Sequence, residues 1–141
     1  MLKKIPKLLP PELVKIMMEM GHGDELILAD AHFPAASHAQ RLIRCDGHPI
    51  PQLLEAVLEL YPLDGYVEAP VALMQVVEGD AVNPVIWDVY QNVLQQSGNP
   101  VQLEYVERFA FYERAKRAYA IVASGETSQY ANLILKKGLV L

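Results

Sequence analysis

The chain has 141 residues, 52% of them hydrophobic and 21% charged, a balance that suits one folded domain with its own core and argues against general disorder. With 12 basic and 17 acidic side chains the formal charge is −5, and no basic stripe of the kind a nucleic-acid binder carries is visible. A single cysteine, Cys45, excludes an internal disulfide framework and fits a reducing compartment.

The first residues, Met1 to Pro11, are basic but broken by Pro6, Pro10 and Pro11, with no apolar signal core behind them. Pro11 to Met20 reads as a helix. Proline suits its first turn, Leu13, Ile16, Met17 and Met20 share one face, and Gly21 marks the stop. Leu26 to Ala29 is a nearly continuous apolar run, as in a strand buried on both faces. It ends in the polar turn Asp30-Ala31-His32-Phe33-Pro34.

Arg41 to Arg44 reads as a short strand, and Pro51 to Leu60 as a second proline-started helix with Leu53, Leu54, Val57 and Leu58 inward. Val71 to Val77 is another buried strand, and Asn83-Pro84 opens a helix running to about Gln96. Leu103 to Val106 (strand), Phe109 to Arg117 (helix), Tyr119 to Ala123 (strand) and Leu133 to Leu135 (strand) complete the series. The alternation predicts a single-domain, three-layer α/β/α fold over residues 1–141 with a mixed, mostly parallel sheet of about six strands. The mixed character rests on the last connection, Ser124 to Asn132, which at about nine residues is short for a helical crossover and implies opposed strands. No stretch approaches the length of a membrane helix, so a soluble cytoplasmic protein is expected.

The three basic clusters, Lys3, Lys4 and Lys7, then Arg114, Lys116 and Arg117, then Lys136 and Lys137, read as solvated surface. Gly21-His22-Gly23 lacks the spacing of a phosphate or dinucleotide loop. Cys45-Asp46-Gly47-His48 has a C-x-x-H spacing without a second ligand pair, and Ser37-His38 is adjacent in sequence only. His22 between two glycines, Asp30 past a buried strand, Arg108 opening a helix and Tyr130-Ala131-Asn132 before the last strand are the remaining candidates. Each also has an ordinary explanation: a helix C-terminal cation, a turn residue, or an ion pair of Arg108 with Glu107 or Glu104.

Together these strings resemble a specific family. Gly21-His22-Gly23-Asp24-Glu25, Ala29-Asp30-Ala31-His32-Phe33-Pro34, the run Arg108-Phe109-Ala110-Phe111-Tyr112-Glu113-Arg114-Ala115, Gly125-Glu126 and Tyr130-Ala131-Asn132 are similar to the ribose pyranase / L-fucose mutarotase family, in family order. His32-Phe33 and Arg108 resemble its fucose branch. Between Cys45 and Asn99 the likeness is looser, and no site residue is carried over from there.

The resemblance implies an isomerase interconverting the α and β anomers of a free aldose, L-fucose in this branch, with no metal or cofactor. His22 would give and take the proton, a task suited to imidazole near neutral pH. Asp30, Arg108, Tyr130, Ala131 and Asn132 would hold the sugar. A homo-oligomer, commonly a decameric ring, is also implied, with no nucleic-acid or membrane partner. Ribose pyranase chemistry, sugar binding without turnover, and a metal-dependent hydrolase using His32, His38 and His48 are the rivals.

One difficulty follows from the strand. If Glu25 to Ala29 is extended, His22 and Asp30 lie roughly 20 Å apart at about 3.3 Å per residue. Either the Gly21–Glu25 segment curls back over the sheet, or a neighbouring subunit supplies the histidine. The second is the expectation.

Overall fold

In the computed structural model, which describes residues 1–141, eleven elements follow one another. They are α1 (Pro11–Glu19), β1 (Glu25–Ala29), α2 (Ala35–His38), β2 (Leu42–Cys45), α3 (Ile50–Leu58), β3 (Val71–Met74), α4 (Ile86–Gln96), β4 (Leu103–Val106), α5 (Arg108–Arg117), β5 (Ala120–Ser124) and β6 (Leu133–Lys136). Proline occupies the first turn of α1 and α3, where the missing N–H costs nothing. Two helices are capped by carboxylates. The Glu107 Oε2 accepts from the Ala110 N–H of α5 at 2.9 Å, and Glu126, far away in sequence, accepts from the Ile50 N–H of α3 at 3.2 Å.

The six strands form one sheet in the order β2-β5-β1-β6-β3-β4. β6 alone runs against its neighbours, antiparallel to both β1 and β3, while β1, β2 and β5 on one side and β3 and β4 on the other are parallel. The last two strands are thus opposed in direction, as the short connection predicts. They do not pair, because β1 lies between them.

Helices α1, α3 and α4 cover one face. Leu13, Ile16, Leu53, Val57, Tyr90 and Leu94 pack there against Leu26, Leu28, Val71, Leu73 and Val122. α2 and α5 cover the other through Phe33, Ala35, Phe111 and Ala115, against Ile27, Ala72, Ile121 and Ile134. Full burial of a Leu or Ile side chain contributes about 1.5–3 kcal/mol, which explains why β1, β3 and β5 read as unbroken apolar runs. Two details differ from the sequence reading. β3 stops at Met74, because Gln75 leaves the sheet with its N–H held by the Val106 carbonyl at 2.7 Å, and α2, a single turn, was not anticipated.

The topology collects chemistry at one edge. The C-terminal ends of β1 and β4 lead into Asp30 and Arg108, and the reversed β6 begins just after Tyr130-Ala131-Asn132. All three segments therefore lie at the edge where α/β sheets usually bind ligands.

Candidate active site

Register brings Asp30 and Asn132 together across 102 residues of sequence. Leu28 of β1 pairs with Leu133 of β6, so the residues just beyond each strand end meet. The Asp30 N–H donates to Asn132 Oδ1 at 2.7 Å, and Asp30 Oδ1 accepts from the His32 N–H at 2.9 Å. Asn132 is only 5% exposed. Burial pushes the Asp30 carboxyl above the usual carboxylate range, and the hydrogen bonds from the His32 and Phe33 backbone and from Asn132 partly oppose that rise.

Tyr130 precedes them with φ +55, a left-handed conformation that costs a non-glycine residue about 1–3 kcal/mol. Two side chains of α4 hold it there. Trp87 Nε1 donates to the Tyr130 carbonyl at 2.8 Å, and the buried Tyr90 hydroxyl donates to the Ala131 carbonyl at 2.7 Å. The kinked backbone turns the Tyr130 phenol toward Asp80, to which it donates. Arg108 pairs with neither Glu107 nor Glu104. Its Nε donates to the Tyr112 hydroxyl at 3.3 Å, Glu107 caps α5, and Glu104 accepts from Arg114.

Asp30, Phe33, Met74, Asp80, Tyr112, Tyr130 and Asn132 line a common cavity of about 250 Å³. Its lining combines the hydrogen-bonding side chains of Asp30, Asp80, Tyr130 and Asn132 with Phe33, Met74 and Tyr112, and the Phe33 and Tyr112 rings lie 5.6 Å apart between centroids. Such a pairing suits a small polyol with one apolar flank. A larger cavity of about 910 Å³ lies between the N-terminal arm, α1 and the turn after β2; its walls are predominantly apolar, and of the motif residues only the Cys45-Asp46-Gly47-His48 string lines it, while His22, Asp30, Arg108 and Tyr130 to Asn132 do not.

His22 is elsewhere. The loop around it is pinned to the far end of β6, with the Gly23 N–H donating to the Lys137 carbonyl and the Lys137 N–H to the Asp24 carbonyl, both at 2.8 Å. The segment does not curl back over the sheet, and the five residues of β1, about 16 Å of extended chain, separate it from Asp30. There His22 has a built environment. Its Nε2 lies 3.0 Å from Asp64 Oδ1 and its ring 5.3 Å from that of Tyr66, while the side chain remains 39% exposed. Asp64 is 4% exposed, and the Tyr66 N–H, then His22, hold its carboxyl below the usual range. Gly138 permits this corner, since a Cβ there would sit 2.4 Å from the Leu63 carbonyl oxygen.

The remaining histidines make no metal centre: no group of three or more His, Cys, Asp or Glu residues converges. Ser37 Oγ does lie 2.9 Å from His38 Nδ1, but both also bond the Pro34 carbonyl, closing a surface turn. Asp64, Asp80, Trp87 and Tyr90 were missed from the sequence. The only local signal among them is Asp64-Gly65, which reads as an ordinary turn.

The RbsD / FucU transport protein family model matches residues 3–140. A fucose mutarotase from Streptococcus pneumoniae, whose crystal structure is in complex with L-fucose, is 54% identical, with a TM-score of 0.93 over 99% of this chain and 100% of that one. FucU from Bifidobacterium longum is 50% identical, with a TM-score of 0.94 over 99% and 100% of the two chains. The fucose mutarotase of Homo sapiens is 52% identical over 99% of this chain and 94% of its own. With strand order, site strings and near full-length similarity in agreement, the chain belongs to the RbsD / FucU family.

Proposed function

We propose that this protein is an L-fucose mutarotase, an isomerase that interconverts the α and β anomers of the free sugar through ring opening. One proton is placed on the ring oxygen and one removed from the anomeric hydroxyl. The C1–O5 bond breaks, the aldehyde turns, and closure from the other face returns both protons. No electrons are exchanged, and neither metal nor cofactor takes part.

The observation that carries the reading is the convergence of Asp30, Arg108, Tyr130 and Asn132 from three distant segments on one sheet edge, in a chain 54% identical to one whose structure holds L-fucose. Asp30 accepts sugar hydroxyls, Arg108 and Asn132 donate to them, and Ala131 contributes backbone. His22 is the proton relay, and a neighbouring copy supplies it. The site is then complete only in a homo-oligomer, and a decameric ring is the assembly that fits the family. The protein works in the cytoplasm.

Saturation-transfer NMR on the anomeric protons of L-fucose tests this directly. Anomer exchange faster with the protein than without it is expected. Binding of L-fucose with exchange left at the background rate would reduce the protein to a sugar binder.

A further inference from the structure

A tyrosine hydroxyl has one proton to give and two lone pairs to accept with. At Tyr130 the proton goes to Asp80 Oδ2 at 2.5 Å, and one lone pair accepts the Val77 N–H at 3.2 Å. What remains is a single acceptor site. Tyr130 and Asp80 both line the cavity that holds Asp30 and Asn132.

Asp80 reaches this place through a short strap. The chain leaves the sheet after Met74, Gln75 is tied to the Val106 carbonyl, and the Asp80 N–H closes a turn on the Val77 carbonyl at 3.0 Å, with Gly79 at φ +86. The strap and the phenol hold each other. Neither holds the backbone of residues 130 and 131, which Trp87 and Tyr90 fix from beneath. The exposed Tyr130–Asp80 bond is therefore dispensable to the fold.

We infer that Asp80 is a positioning residue of the sugar site: by taking the Tyr130 proton it fixes the phenol oxygen as an acceptor for a substrate hydroxyl and keeps the Val77–Asp80 strap against the cavity rim. The inference rests on the isomerase reading above. An Asn at position 80 has nearly the same shape, but its amide can donate to the phenol oxygen and free the phenol proton to swing away. Volume is kept, while the charge that commits the phenol proton to this side is removed. The charged groups acting on the phenol are Asp80, which raises its pKa, and Arg108, which lowers it.

The test compares Asp80→Asn, Tyr130→Phe and the double variant with the wild type, using anomer-exchange kinetics on L-fucose, ultraviolet titration of the phenol and thermal unfolding. Asp80→Asn is expected to raise KM about three- to tenfold, the loss of one hydrogen bond, with kcat and the unfolding midpoint little changed. The double variant should be no worse than Tyr130→Phe. The phenol signal absent from Tyr130→Phe should titrate at lower pH in Asp80→Asn than in the wild type. An unchanged KM, losses that multiply in the double variant, or a phenol that titrates as before would each overturn the assignment. A wild type that left anomer exchange at background would instead sink the isomerase reading, while the titration still reported whether Asp80 governs the phenol.

Discussion

Asp30 carries a carboxyl whose charged form its burial disfavours. In its proposed role of accepting sugar hydroxyls Asp30 acts as the ionised carboxylate, which predominates only above its folded pKa, and that pKa is raised above the ordinary 3.8. Affinity for L-fucose is therefore expected to fall, as pH drops, at a higher pH than an ordinary carboxylate would give, and binding titrations across the acid range should show it. Stability runs the opposite way. A carboxyl with a raised folded pKa loses stability when it ionises, so the cost is present above that pKa and relieved below it. Asp30→Asn should bind sugar poorly yet unfold no more easily at neutral pH, as thermal melts would show. Asp64 has the opposite shift. Its contribution is present above the unfolded value and lost as pH falls through the lowered folded one, so at neutral pH it stands ionised to orient His22. His22→Ala should lower exchange by about 10²–10⁴-fold, the usual worth of a general acid–base group, and Asp64→Asn by less, since the imidazole stays in place; exchange NMR measures both. Asp30, Arg108 and Tyr130–Asn132 were legible because each sits in a contiguous string with its neighbours. Asp64, Asp80, Trp87 and Tyr90 were not, because each reaches the site through one bond spanning 42, 50, 43 or 41 residues, and a linear reading has no pattern for that.

Helices and strands were legible to the extent that their side chains repeat. The proline-started α1 and α3 show a clear apolar face, and the central strands are apolar throughout. α2 has four residues, too few to show a period, and the exposed edge strand β4 was recognisable only by its place in the alternation. What no periodicity conveys is which helix serves the site. α4 packs its apolar face on the sheet and also lends Trp87 and Tyr90 to the carbonyls of residues 130 and 131. Tyr90→Phe leaves a buried carbonyl without its donor, which costs about 1–3 kcal/mol. Thermal or denaturant unfolding should register that loss, and weaker L-fucose binding should accompany it as the left-handed turn relaxes. α5 is tied differently, by Arg114 Nε to both Glu25 carboxylate oxygens at 3.0 and 3.1 Å, in a half-buried setting remote from the sugar edge. Arg114→Met should therefore lower stability while leaving KM for L-fucose intact.

Across the whole molecule the two halves of the chemistry face opposite edges of one sheet, with the strands holding them apart. Mixing His22→Ala and Asp30→Ala chains under subunit exchange is the decisive measurement for a shared site. Random assembly gives about a quarter of sites a sound histidine and a sound sugar half, so partial activity should return from two inactive proteins; a mixture that stays dead would require each chain to act alone. β6 is the element common to both halves. Its first residue follows Asn132, and its far end carries Lys137, which pins the His22 loop, and the Lys136 carbonyl that accepts from the Asp64 N–H. If a neighbouring copy supplies His22, as proposed, slippage of this one reversed strand by a single register would damage the pocket of its own chain and the imidazole that serves the next. In mixed rings, activity should then decline with the square of the healthy fraction, whereas a chain lacking only the imidazole dilutes it linearly. In such a shared site a β6 lesion would cost more activity than its share of the chains.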